Sequence, residues 1–255
     1  MRKVSLLDPR ELANPPICES VNIPKKLLAD RIFELPVKGS SLKIANVEGA
    51  EDCLRWLLDN SRLATLTDDF SFGDIGSVRL WSPNAFLEET APRLGPGKAL
   101  DLGCGVGREA VYLASAGWEV TAIDHLPDAI ERGMLLAERY APAGSIDWHV
   151  ADLNPFPVPY SAFLPSRFDL ITMHFYYDLK LVEHWRALLA PGGSLLIESF
   201  SDQHRQLTGK PRNPGAAICE APLIEVLQGL EIALYSPGER DGRHTVRVWA
   251  RNASE

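Results

Sequence analysis

The chain has 255 residues, 45% of them hydrophobic, with a formal net charge of −8 and a pI near 5.3. That length holds one large domain or a medium and a small one, and the apolar content suffices for a core rather than a disordered chain. Splitting near residue 75 leaves 10 basic against 12 acidic residues before it and 16 against 22 after, so neither part is the basic face that phosphate-driven nucleic-acid binding needs.

In chain order, Val4-Ser-Leu-Leu-Asp-Pro-Arg10 reads as a strand running into a helix start. Asn22-Ile-Pro24 and Phe33-Glu-Leu-Pro36 punctuate short helical pieces. Leu42-Lys-Ile-Ala45 reads as a second strand, and Asp52-Cys-Leu-Arg-Trp-Leu-Leu58 has helical apolar spacing. The "LLD-x-R", "NIP" and "ELP" landmarks make residues 4–60 resemble the rhodanese family. That resemblance implies a nucleophilic cysteine straight after the strand, where this chain has Asn46-Val-Glu-Gly-Ala50, and Glu48 would repel a thiolate. Cys53 falls inside the helical run, where cysteine is usually a small buried hydrophobe. The expectation is a small, degenerate rhodanese-like α/β domain without sulfurtransferase chemistry over residues 1–75. An irregular α/β extension is the competing reading. Residues 60–78 are polar and glycine-bearing and read as the linker.

Asn84-Ala-Phe-Leu-Glu-Glu-Thr90 opens the second part as a helix, capped by Ser82 or Asn84. Next comes Lys98-Ala-Leu-Asp-Leu-Gly-Cys-Gly-Val-Gly-Arg108, a buried strand with Asp101 near its end, broken by Gly103, Gly105 and Gly107. The helical pattern Glu109-Ala-Val-Tyr-Leu-Ala114 follows. A strand–glycine turn–helix aims backbone N–H groups at a ligand site at the carboxyl end of a parallel sheet, and a Cβ there would block close approach. A dinucleotide fingerprint needs a third glycine where Arg108 stands.

The motif resembles the (Asp/Glu)-x-Gly-x-Gly-x-Gly of class I S-adenosylmethionine-dependent methyltransferases, and the resemblance extends over roughly residues 79–251. It implies a doubly wound, seven-stranded Rossmann-like sheet in a domain over residues 76–255. Trp118-Glu-Val-Thr-Ala-Ile-Asp124 reads as the second strand, its acid 17 residues past Gly107, where a doubly wound fold places a ribose-binding carboxylate. Ile146-Asp-Trp-His-Val-Ala-Asp152 is the third and Phe168-Asp-Leu-Ile-Thr-Met-His174 the fourth; Asn154-Pro-Phe-Pro-Val-Pro159 forces a loop between them. Val182 to Leu189 reads as a helix stopped by Ala190-Pro-Gly-Gly193, Ser194 to Phe200 as the fifth strand, and Leu223 to Leu230 as another helix. Glu231 to Tyr235 and His244 to Ala250 read as a closing antiparallel pair.

The resemblance implies that Asp101, Gly103, Cys104, Gly105, Gly107, Asp124, His125, Asp152, Leu153 and His174 meet S-adenosylmethionine, Asp152 through the adenine amino group and Leu153 through its N–H. His174 is also the candidate general base, since its unperturbed pKa lies near neutrality. Tyr176 and Tyr177, and Lys210 and Arg212 of the polar stretch from His204 to Pro214, are the expected substrate contacts. The implied acceptor is a small molecule, as in the similar tellurite-resistance and thiopurine branch. A nicotinamide-dependent oxidoreductase and a non-catalytic cofactor-binding or interaction protein are the alternatives.

Cys18, Cys53, Cys104 and Cys219 lie far apart with no C-x-x-C pair, which supports neither a zinc site nor a disulfide framework and fits a reducing compartment. Met1-Arg-Lys-Val-Ser-Leu-Leu-Asp8 lacks a signal-peptide core, and no apolar run approaches the roughly 18 residues of a membrane span. The expectation is a cytoplasmic enzyme with no metal, membrane or nucleic-acid partner, a homodimer being left open.

Overall fold

The computed structural model describes residues 2–5, 17–18, 20–72, 78–153 and 167–253. Leu6-Leu-Asp-Pro-Arg10 and Asn154 to Pro159, both used in the sequence reading, lie outside them. The chain divides into two compact units, Met1–Ser82 and Pro83–Glu255.

The first unit is a four-stranded parallel sheet: β1 (Arg2–Ser5), β2 (Ser20–Asn22), β3 (Ser41–Ala45) and β4 (Leu63–Thr67), in the order β2-β1-β3-β4. One helix, α1 (Ala50–Asp59), joins β3 to β4 and buries Ala50, Cys53 and Leu57, the i, i+3, i+7 stripe of a one-sided helix. These pack on Leu42 and Ile44 of β3. β4 corrects the linker reading. Leu63-Ala-Thr-Leu-Thr67 is half exposed, so it lacks the apolar run that marks a buried strand, and it is defined by pairing with β3 from Ser41↔Leu63 to Ala45↔Thr67. β2 escapes the pattern for a different reason: three residues are too few to show a period.

The second unit opens with α2 (Ala85–Thr90), capped by Asn84, whose side-chain oxygen accepts from Phe86 N (2.8 Å) and Leu87 N (3.2 Å). Then follow β5 (Lys98–Leu102), α3 (Arg108–Ser115), β6 (Glu119–Asp124), α4 (Pro127–Tyr140), β7 (Ile146–Val150), β8 (Phe168–His174), α5 (Leu179–Trp185), β9 (Leu189–Phe200), α6 (Asp202–Thr208), α7 (Glu220–Val226), β10 (Glu231–Arg240) and β11 (Arg243–Arg251). The seven strands lie in the order β10-β11-β9-β8-β5-β6-β7. β5 to β9 are parallel, while β11 pairs antiparallel with β9 and β10 with β11.

The period of two along each strand splits the core between the two faces of this sheet. Leu100, Leu102, Ile171, Met173, Leu195 and Ile197 face Leu181, Val182 and Trp185 of α5 and Leu223 of α7. Ala99, Val120, Ala122, Leu170 and Leu196 face Phe86 and Leu87 of α2, Ala110 and Leu113 of α3, and Ile130 of α4. Burial on both faces explains why β5 and β8 read as near-continuous apolar runs. The chain leaves β5 for β6 and β7 on one side and returns through β8 on the other. The carboxyl ends of β5 and β8 are therefore the topological switch point, where open α/β sheets bind ligands.

Two local readings change. Pro191-Gly-Gly193 does not merely stop a helix: it lies inside β9, whose register against β8 jumps from Phe168↔Leu189 to Leu170↔Ser194. The polar stretch after β9 begins as helix α6, closed by Gly209 in the left-handed conformation (φ 71°). Among the described residues no helix is long and apolar enough to cross a membrane.

Candidate active site

The glycine turn is held from beneath by β6. Gly103 N and Cys104 N both donate to Ile123 O, at 2.9 and 3.0 Å, and Gly107 N closes the turn on Cys104 O at 2.8 Å. Gly103 and Gly107 have φ of 69° and 68°, the left-handed region that a side chain disfavours. They are also crowded. A Cβ on Gly103 would lie 2.6 Å from Tyr176 Cβ, and one on Gly107 2.7 Å from Trp148 Cζ3. Gly105 (φ 53°) faces open space.

Asp124 ties the turn to the next strand. Its Oδ2 accepts from Gly105 N (2.8 Å) and its Oδ1 from Leu126 N (3.0 Å), with His125 Nδ1 3.4 Å from Oδ1. Each oxygen thus keeps lone-pair capacity for a second donor. A cavity of about 250 Å³ opens here, lined by Gly103, Asp124, His125, Ala151, Asp152, Leu153 and Tyr176.

Five of the expected cofactor residues, Gly103, Asp124, His125, Asp152 and Leu153, therefore share one cavity at the switch point. Others sit elsewhere. Asp101 is 2% exposed and lies in the core below the turn; its Oδ1 accepts from Thr172 Oγ1 (3.1 Å), while its Oδ2 is buried without a partner. Burial, with the neighbouring Glu109 adding to it, pushes the Asp101 carboxyl well above the usual carboxylate range. Cys104 is likewise buried, and desolvation raises its thiol, so only its backbone serves the turn. Gly105 contributes through its N–H to Asp124, and Gly107 lets the turn pack on Trp148.

The substrate expectations divide as well. Tyr176 stands over Gly103 and lines this same cavity rather than a separate site. Tyr177 is 6% exposed in the core, where burial raises its phenol, so it cannot touch an acceptor as packed. Lys210 and Arg212 are exposed beyond α6 and do not line the cavity. His204 turns inward, stacking on Phe200 at 4.7 Å and accepting from His244 N.

His174, at the tip of β8, does not suit a general base. Both ring nitrogens are shut from solvent without a partner, and burial, helped by Arg247, lowers its pKa to about 3. The folded chain thus holds a neutral imidazole where the unfolded chain protonates below about 6.5. Between these values the unfolded state binds more protons, so this group's contribution to stability falls as pH drops, by about 1.4 kcal/mol per unit. Urea unfolding at pH 6.5 and 5 should show about 2 kcal/mol less acid sensitivity in His174→Gln than in the parent. The raised Asp101 and Glu109 carboxyls act in the opposite sense but equally in both proteins. Equal pH slopes would refute the buried neutral state.

Sequence reasoning missed Asn84 as a hub. Beyond capping α2, its N–H donates to Glu109 Oε1 (2.9 Å) and its Nδ2 to Glu198 Oε2 (3.0 Å). Glu198 is buried, accepts from Thr245 Oγ1 (3.1 Å) and pairs with Arg247 Nε at 3.0 Å. Asn84 was visible only as a cap, because its partners lie 25 and 114 residues away. Among the described residues no three His, Cys, Asp or Glu gather into a group able to hold a metal.

Residues 99–193, from β5 into β9, match a family described as "Methyltransferase domain". The match lies wholly within the second unit of the chain. Over 162 residues, 60% of this chain and 63% of the relative, it is 32% identical to nodulation protein S of Rhizobium tropici. It is 42% identical over 119 residues to hemagglutinin 1 of Eikenella corrodens, covering 46% of this chain and 38% of that protein. Its fold is similar to that of the N-methyltransferase NodS from Bradyrhizobium japonicum WM9 in complex with S-adenosyl-L-homocysteine. The TM-score is 0.51, with 23% identity over 66% of this chain and 84% of that one. The chain spans between about two fifths and two thirds of the length of the curated relatives it matches.

Proposed function

We propose that the protein transfers the methyl group of S-adenosylmethionine to a small-molecule acceptor. The observation carrying this is the convergence of Asp124 and Asp152 with Gly103 on one cavity at the switch point, above the buried Asp101. The donor set fits the cofactor. Carboxylates suit ribose hydroxyls, an adenine amino group and a cationic amino acid, whereas a dinucleotide's pyrophosphate would meet like charge.

When bound, the cofactor supplies an electrophilic methyl on a sulfonium; the acceptor's lone pair forms the new bond and sulfur keeps the electron pair of the old one. The chain's work is to hold and exclude. Holding the reactants in near-attack geometry is worth about 7–11 kcal/mol. Asp124 would hold the ribose with its remaining lone pairs, and Asp152 and Leu153 N the adenine, while Asp101 braces the turn from the core below through Thr172. His174 is assigned to packing at the tip of β8 instead of a proton transfer, and Lys210 and Arg212, exposed beyond α6, to drawing an anionic acceptor towards the site by their charge. The net charge of −8 favours a small acceptor over nucleic acid, and the free cysteines favour the cytoplasm.

The first unit supports a rhodanese-like reading through its parallel sheet and the β3–loop–α1 passage, where Asn46 bonds Asp68 (2.8 Å) and the nearest thiol, Cys53, is buried. We read it as a catalytically silent rhodanese-like unit.

Calorimetry with S-adenosylmethionine, S-adenosylhomocysteine and NAD tests the main proposal. The two sulfur compounds should bind and NAD should not. NAD binding without either of them would replace the proposal with the oxidoreductase reading.

A further inference from the structure

The seven-stranded sheet places β8 and β9 next to β5 on the side away from β6 and β7. The cofactor cavity sits over the ends of β5, β6 and β7, so an acceptor has the ends of β8 and β9 as its neighbouring ground. Two phenylalanines stand there. Phe175 follows β8 with φ 56°, an uncommon conformation for a bulky residue, and is 41% exposed. Its N–H is anchored on Glu198 O at 2.7 Å, and its ring lies 5.1 Å from that of Phe200, the last residue of β9. His204 stacks on Phe200 at 4.7 Å and 17°, fixing that ring from behind.

Bulky residues held at positive φ carry backbone strain, and such residues cluster at functional sites. One charge accompanies the pair. The Arg243 guanidinium, at the start of β11, lies 5.6 Å from the Phe175 ring centroid, with no carboxylate partner among the described residues. Antiparallel β11 brings its first residue to the end of the sheet where β9 finishes, as the pair Thr245↔Phe200 records.

We infer that Phe175, Phe200 and Arg243 form the acceptor subsite, and that it takes a small aromatic carboxylate. This rests on the methyl-transfer reading and deepens it. A planar ring gains from offset or edge contact with two phenyl rings, and a guanidinium grips a carboxylate bidentately, which a phenol or an aliphatic alcohol cannot match. Tyr176, the next residue after Phe175, lines the cofactor cavity, so one short segment borders both ligands.

The test uses the full chain saturated with S-adenosylhomocysteine and three probes, benzoate, cyclohexanecarboxylate and benzyl alcohol, followed by NMR saturation transfer and titration. Benzoate should bind at least tenfold more tightly than the other two. Arg243→Gln, a change at an exposed residue, should bring benzoate down to the level of benzyl alcohol. Phe175→Leu should bring it down to that of cyclohexanecarboxylate. Affinity for S-adenosylhomocysteine should stay unchanged in both variants. Benzoate that fails to bind, or binds equally well to Arg243→Gln, overturns the subsite while leaving methyl transfer standing. A parent chain that does not bind S-adenosylhomocysteine overturns both.

Discussion

Asp124→Ala is expected to weaken S-adenosylmethionine binding by about a hundredfold, read by calorimetry. Asp124 does two jobs at once: it holds the glycine turn through Gly105 N and Leu126 N, and it lines the cavity with its remaining lone pairs. A hydrogen bond to a charged group is worth about 1.5–3 kcal/mol, and losing the carboxylate leaves two partly buried N–H groups short of their acceptor. A loss of about 3 kcal/mol corresponds to roughly a hundredfold in affinity. Asp124→Asn should recover only part of this, because the amide keeps one acceptor oxygen but presents its NH₂ to the other N–H donor. Unchanged affinity in a folded Asp124→Ala chain would remove this residue from the site.

Gly103→Ala should be strongly damaging to the glycine turn, and Gly105→Ala is its control. Both positions have positive φ, so each alanine costs roughly 1–2 kcal/mol of backbone strain. Only Gly103 adds a collision. Its Cβ would come within 2.8 Å of Tyr176 Cδ1 as well as Tyr176 Cβ, and the tyrosine cannot move without deforming the cavity it lines. At Gly105 the Cβ enters open space. The expected total for Gly103→Ala is about 3–5 kcal/mol, or roughly 10 °C in Tm for a unit of this size. Gly105→Ala should lose about a third of that. Thermal unfolding of the two variants side by side decides it: equal Tm values would mean that Tyr176 does not press on the turn.

Short-range physics made the second unit readable. Ala99-Leu-Asp-Leu102 and Leu170-Ile-Thr-Met173 are apolar because both faces of their sheet are covered, and a glycine turn between a strand and a helix announces itself through backbone conformations that other residues resist. Asp124 was legible by its spacing from that turn, and Asp152 as the acid closing the third apolar run. The first unit was less so. Leu63-Ala-Thr-Leu-Thr67 has half-exposed side chains and gains its strand character from β3 alone.

The amino-acid order by itself determined the αβ alternation, the glycine turn and the acids at the ends of β6 and β7, because each depends on residues within a few positions of one another. Tertiary structure decided which side chains reach the cavity. Asp101 and Asp124 both stand near the ends of strands that meet the turn. Yet the pleat sends Asp101 inward to Thr172, 71 residues away, and leaves Asp124 at the cavity. Tyr176 and Tyr177 are adjacent in the chain, and one faces the ligand space while the other packs in the core. His174 reads as a base in any list of residues, but its pKa is set by the burial that folding imposes on it. Which face a residue shows, and how much water it keeps, depends on neighbours that sequence distance does not reveal.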